Sequence, residues 1–340
     1  MSQLLQHELD KRALTRQFFA PYRTLAERVW ERVERFCERL PEPLLGQWCH
    51  LKGYLATFSE SRDPREFFHH PHAFPSLLLP FWVGTGIGFR PEDETVEEII
   101  KATLLNYFYL RIQDNVMDEP DRFDATLLLL GNEVLHECYR VYHSTFPAGS
   151  PFWDHYTRLW QDFSRATLWE KQEHWRRFAP FTETDVELLG KKFVPIAIPC
   201  VAFALLQNRP EAIASLERMV QYLGVGIQLV NDLTDMQEDL QRQDYTYLLT
   251  QLLPPDGHHL SFEEAQVEIQ RELLTTTFLP DYLEMAATYY KKAAATALRL
   301  NLPRVVEYVT YQLTYLRALK GEIVRAHLEI LLGLKLPVQP

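Results

Sequence analysis

Glycine is scarce in this 340-residue chain, at 13 residues, and no run alternates apolar and polar side chains as a half-buried strand does. An all-α fold is therefore expected. Basic residues are also outnumbered, 35 Lys and Arg against 46 Asp and Glu, which leaves a formal net charge of -11 and a pI near 5.6. That sign repels nucleic-acid phosphates and anionic membrane, so neither is expected as a partner. The four cysteines, Cys37, Cys49, Cys138 and Cys200, form no CxxC pair. Their mostly apolar or aromatic neighbours mark them as reduced core residues of a cytoplasmic protein. The longest apolar run, 193–206, is about 14 residues with two prolines, too short to span a bilayer. Residues 1–12 are polar and charged and do not read as a signal peptide. With no internal repeat and no low-complexity region, one domain over 1–340 is expected, its N-terminal helices and irregular segment in 1–90 and a helical core in 91–340.

What the chain does have is apolar bulk. It is 46% hydrophobic and 13% aromatic, ample for a large core. Residues 1–58 read as two or three amphipathic helices broken near Pro21 and around Pro41 and Pro43. Residues 59–89, with Pro64, Pro71, Pro75, Pro80, Gly84, Gly86 and Gly88, read as the least regular part. His69, His70 and His72 lie there without a spaced cysteine partner and are read as surface loop. The glycines of GTGIG do not meet GxGxxG spacing and follow no strand, so no phosphate loop is expected. Beyond them helices are expected at 95–118, 123–146, 153–178, 185–208, 211–242, 245–253, 262–300 with a break near Pro280, and 304–333. Joints this short imply an antiparallel bundle. Pro195 and Pro199 should kink the helix at 185–208.

Two stretches carry acids where a buried helix should not. In GVGIQLVNDLTDMQED, at 224–239, helical spacing puts Gly224, Gln228, Asn231, Asp235 and Asp239 on one side, with Val225, Ile227, Leu229, Val230 and Leu233 on the flanks. In 102–117 the chain is apolar nearly all round and runs into DNVMDEPD, with Asp114 and Asp118 one turn apart above Arg111 and Tyr107. Burying carboxylates without partners costs several kcal/mol each, and like charges at i,i+4 repel, so cations are expected between them. Oxygen donors at this spacing suit hard divalent ions rather than zinc. Mg2+ fits best, because it takes one or two carboxylates and completes its shell with water and phosphate.

These two motifs resemble those of the all-α class I isoprenoid synthases. DNVMDEP at 114–120, with Arg111 three residues before, looks like the first acidic motif of squalene and phytoene synthases. QLVNDLTDMQED at 228–239, followed by Arg242, is similar to their second; Asn231, Asp235 and Asp239 also fit the metal positions of terpene cyclases. The resemblance implies an antiparallel helical bundle around a central apolar cavity. It implies Asp114, Asp118, Asn231, Asp235 and Asp239 as catalytic metal ligands for a cluster of Mg2+, or Mn2+, ions. Lys191 and Lys192 resemble in position the diphosphate-binding lysine of elongating prenyltransferases, and with Arg111 and Arg242 complete the expected diphosphate contacts. Tyr107, Phe108, Phe193, Tyr222, Tyr311 and Tyr315 are candidates for an aromatic wall facing a carbocation.

The expected substrate is a linear prenyl diphosphate. Among the activities of this superfamily the reading favoured here is a Mg2+-dependent terpene synthase, a lyase giving a hydrocarbon or alcohol plus diphosphate. It needs one diphosphate site, the metals and a dry pocket. Head-to-head condensation of the squalene and phytoene type is the first alternative. Chain elongation follows, because the Arg-Arg pair after the first motif and the early Gly-Lys-Arg are absent. A catalytically inactive helical partner subunit is the third, compatible with Asn115 and Asn231 where elongating enzymes carry Asp. A homodimer is compatible with such a chain.

Overall fold

The structure, a computed structural model, describes residues 20–57, 62–65, 74–119, 122–174 and 177–331. Among them there is no strand, as the lack of alternating patterns requires. The helices are α1 (Arg23–Cys37), α2 (Glu42–Ala56), α3 (Phe74–Gly86), α4 (Glu94–Asp118), α5 (Leu127–Thr145), α6 (Phe152–Glu173), α7 (Glu183–Leu189), α8 (Ala197–Leu206), α9 (Ile213–Thr234), α10 (Met236–Arg242), α11 (Tyr247–Leu252), α12 (Phe262–Thr275), α13 (Phe278–Arg299) and α14 (Pro303–Leu331). Tertiary contacts divide the chain into two compact units, Met1–Thr157 with Ile196–Ile213, and Arg158–Pro195 with Ala214–Pro340.

In the first unit α4 is the central helix, touching α1, α3, α5 and α8. Its apolar-all-round sequence is the cause: Val96, Ile99, Ile100, Ala102, Leu104, Leu105, Phe108 and Ile112 are all buried. Phe108 packs edge-on against Trp48 and Trp30 at centroid distances of 5.2 and 5.9 Å, and is plain core. Lys101, two turns earlier on the same helix, is also buried, 7% exposed, and is held by Glu137 at 2.6 Å. Arg140 also donates twice to that carboxylate, at 2.7 and 2.6 Å.

In the second unit α13 and α14 pack together, and α13 supports α9 through Tyr282, whose hydroxyl donates to the Leu229 carbonyl at 2.8 Å. Capping boxes start α7 at Thr182 and α12 at Ser261, and Thr246 caps α11. Gln243 in the left-handed region, φ 57°, stops α10.

Several expectations need correcting. Residues Phe74–Gly86, read as irregular, form a helix with Pro80 inside it, because Leu77, Leu78, Leu79, Trp82 and Val83 are buried. The helix expected at 185–208 is α7, a 3-10 segment Gly190–Ile196, and α8. Pro195 sits in the 3-10 segment, whereas Pro199 falls in the first turn of α8, where its missing N–H costs nothing. The stretch Thr184–Leu206 is apolar and long enough on paper to cross a membrane, yet it is broken this way and 67% of its most apolar window is buried. Cys37, Cys138 and Cys200 are buried free thiols as expected, but Cys49 is exposed. His69, His70, His72 and Pro120 lie outside the described residues.

Candidate functional site

Helix α4 delivers the first motif at its C-terminal end. Glu119 N–H closes the last turn on the Asn115 carbonyl at 2.9 Å, and Asn115 is buried with its side-chain Nδ2 unpartnered among the described residues. Asp114 and Asp118 face outward from the core; the Asp114 side chain is 48% exposed. The sequence expectation of deeply buried acids is thus too strong here. Arg111 donates from Nη1 to Asp114 at 3.2 Å and from Nη2 to the Tyr54 hydroxyl at 2.6 Å. Burial opposes the charge on Arg111, but the oxygens of Tyr107, Asp114 and Tyr54 outweigh it and hold the guanidinium protonated. Burial pushes the Tyr107 phenol up, so it stays neutral.

The second motif is not one straight helix. α9 ends at Thr234 and α10 starts at Met236, with Asp235 between them at φ -100° and ψ 2°. The hydrogen-bond ladder survives the bend, since Asp235 N–H reaches the Asn231 carbonyl at 2.8 Å and Asp239 N–H the Asp235 carbonyl at 2.9 Å. Asp235 is exposed, while Asn231 and Asp239 are half-buried. Burial, followed by the carboxylates of Asp232, Asp244, Asp235 and Glu238, pushes Asp239 up to about 9. A group so placed calls for a cation.

Lys191 and Lys192 ride on the 3-10 segment. Lys191 lies 3.3 Å from Asp162 and Lys192 2.6 Å from Glu170, both acids on α6. The segment lies close to α9 because glycines meet there: a Cβ on Gly190 would stand 2.6 Å from the Gln221 carbonyl oxygen, and one on Gly224 2.7 Å from Phe193 Cβ. Gly224, counted in the polar stripe, is a close-packing position. Arg242 pairs with Glu238 one turn earlier on α10. Of the other aromatic candidates, Tyr222 has the Lys292 Nζ over its ring, 5.5 Å from the centroid, and Phe193, Tyr311 and Tyr315 are half-buried.

Sequence reasoning passed over Asp232. It is 2% exposed and accepts from Gln228 Nε2 at 2.9 Å. Burial pushes it up to about 7, against the Gln228 hydrogen bond and Lys192. With Glu170, His174, Phe181, Leu189, Gln228, Asp244, Thr246 and Tyr247 it surrounds a crevice too narrow to admit a water molecule. The signal was an acid on the apolar flank of the helix, four residues after a glutamine.

Within each unit the described residues bring no three His, Cys, Asp or Glu side chains together at metal-binding distance. The first motif therefore offers a pair of carboxylates. Such oxygen-only donors, one pair half-exposed and Asp239 surrounded by like charge, fit Mg2+, which needs only one or two carboxylates.

Neither a protein-family model nor a curated protein matches the sequence. Solved structures do match. A polyprenyl synthase from Caulobacter crescentus CB15, complexed with calcium and isoprenyl diphosphate, aligns over 87% of this chain and 97% of its own at 14% identity and a TM-score of 0.64. A decaprenyl diphosphate synthase from Rhodobacter capsulatus aligns over 88% and 98% at 13% identity and a TM-score of 0.59. A heptaprenyl diphosphate synthase from Staphylococcus aureus aligns over 82% and 98% at 14% identity and a TM-score of 0.56. The chain has the all-α fold of the isoprenyl diphosphate synthases.

Proposed function

We propose that the chain is an enzyme that takes a linear prenyl diphosphate and transfers its prenyl group, with chain elongation as the leading reading. The observation that supports it is the fold: the solved structures that share it are named polyprenyl, decaprenyl and heptaprenyl synthases, and the alignments span 97 to 98% of them. This moves the emphasis from the lyase that the sequence favoured to the transferase it ranked lower.

In this reading the allylic C1–O bond breaks with its electron pair leaving on the diphosphate, and the prenyl cation alkylates the double bond of the acceptor, which then loses a proton. Asp114, Asp118, Asn231, Asp235 and Asp239 would hold Mg2+. Bound there, it would supply charge to offset the diphosphate. Arg111, Lys191, Lys192 and Arg242 receive the phosphate oxygens, and Lys191 and Lys192 must first exchange the carboxylates of Asp162 and Glu170 for them. In this proposal the protein is cytoplasmic and forms a homodimer.

One observation favours a second reading, a terpene synthase. Between Asp118 and α5 the only basic residue is Arg122, and it is engaged with Glu119 at 3.4 Å and with the ring of Tyr54 at 4.8 Å. An isopentenyl diphosphate site marked by two arginines is missing. Incubating the protein with Mg2+ and farnesyl diphosphate, with and without isopentenyl diphosphate, and weighing the products separates the readings. Elongation predicts longer diphosphates only when isopentenyl diphosphate is present. A hydrocarbon or alcohol without it would select the terpene synthase, and a product of doubled carbon number head-to-head condensation.

A further inference from the structure

Lys191 and Lys192 are neighbours in the chain, yet their side chains diverge. Lys191 reaches Asp162 and Lys192 reaches Glu170, and these acids stand eight residues, about 12 Å, apart along α6. Asp162 belongs to an open cluster: it also lies 3.8 Å from Arg158, which pairs with Glu217 near the start of α9. Glu170 is enclosed instead. It is 8% exposed and shares its crevice with Gln228 and Asp232 of α9 and with Asp244. Lys192 therefore lies with the second acidic motif, where burial pushes the Asp232 carboxyl up and the Lys192 charge pulls against it.

The Lys192 pair is also the closer one, 2.6 Å against 3.3 Å for Lys191. Binding a diphosphate exchanges these carboxylates for phosphate oxygens, and the cost of the exchange differs between the two lysines. Asp162 keeps Arg158 when Lys191 departs. Glu170 is left nearly buried in the company of Asp232 and Asp244, where like charges repel more strongly than in water. Lys171, 3.9 Å from Asp244, tempers that repulsion without removing it. We infer that Glu170 is a built-in competitor for the diphosphate: in the empty protein its carboxylate occupies Lys192 in the place of phosphate, and displacing it lowers the affinity for the ligand. This rests on the proposed diphosphate reading.

The test is calorimetric titration of inorganic pyrophosphate, with MgCl2 in excess, into the full chain as wild type, Glu170→Gln, Asp162→Asn, Lys192→Met and the Glu170→Gln/Lys192→Met double variant. Glu170→Gln should bind about tenfold more tightly than wild type, the order of one hydrogen bond to a charged group. Glu170→Ser, which removes the same charge with a smaller side chain, should act in the same direction. Asp162→Asn should stay within about threefold of wild type, as expected for a more exposed pair. The double variant should bind no more tightly than Lys192→Met, because the gain passes through that ammonium. Glu170→Gln and Glu170→Ser binding like wild type or more weakly would overturn the inference and leave the diphosphate reading standing. So would an equal gain from Asp162→Asn, or a gain that survives in the double variant, since either would mark a general charge effect. Wild type showing no Mg2+-dependent pyrophosphate binding would overturn the reading itself and this inference with it.

Discussion

Glu137 illustrates how single residues hold the helix that carries the first motif. Its carboxylate, 5% exposed, neutralises Lys101 in the middle of α4. Replacing it with Ala leaves a buried ammonium whose remaining carboxylate among the described residues is Glu98 at 3.7 Å. The expected loss in chemical denaturation is about 3 kcal/mol, the lower end for breaking a buried ion pair. Burial alone would raise the Glu137 carboxyl, but the hydrogen bonds from Arg140 and Lys101 outweigh it and hold it below its usual 4.5. A lowered carboxylate contributes stability that is fully present above about 4.5 and disappears as pH falls through its folded value. Melting curves of wild type and Glu137→Gln should therefore differ at neutral pH and converge in acid. A gap that does not narrow as the pH is lowered would mean that the ion pair is not its source.

At the scale of elements, the 3-10 segment Gly190–Ile196 is the feature with most leverage, because it carries both candidate lysines against α9. Gly224→Ala would put a methyl 2.7 Å from Phe193 Cβ and 2.9 Å from the Gly190 carbonyl oxygen, neither of which is a flexible side-chain end. The segment must shift, at a cost of about 1–3 kcal/mol, and diphosphate affinity should fall with it. Urea unfolding combined with pyrophosphate titration checks both; a variant as stable as wild type would show that the segment yields freely. The sequence made most helices legible, since apolar periodicity and caps are local. It hid α3, where five proline or glycine positions within or near the helix argued against a burial set by α4 and α8, and it hid the break at 190, which follows from packing on α9. For the site, the acids of both motifs were legible from spacing. Tyr54 was not, because it lies 57 residues from Arg111 and no local pattern announces the bond. Asp232 could have been found from its place on an apolar flank.

For the whole molecule, two compact units each present one acidic motif, and the fold over 87 to 88% of the chain is shared with proteins named decaprenyl diphosphate synthase and polyprenyl synthase. The central claim is that both motifs serve metal-dependent cleavage of a prenyl diphosphate. The most direct measurement is the rate of pyrophosphate release from farnesyl and geranylgeranyl diphosphates, with isopentenyl diphosphate present, for wild type, Asp114→Asn and Asp235→Asn at a series of Mg2+ concentrations. Both aspartates are partly or fully exposed, so their substitution should leave the melting temperature within a few degrees of wild type. The account predicts Mg2+-dependent release by wild type, abolished by chelation and lowered roughly a hundredfold or more in each variant. Release that is independent of Mg2+, or equal in all three proteins, or absent from wild type with every substrate, would contradict it.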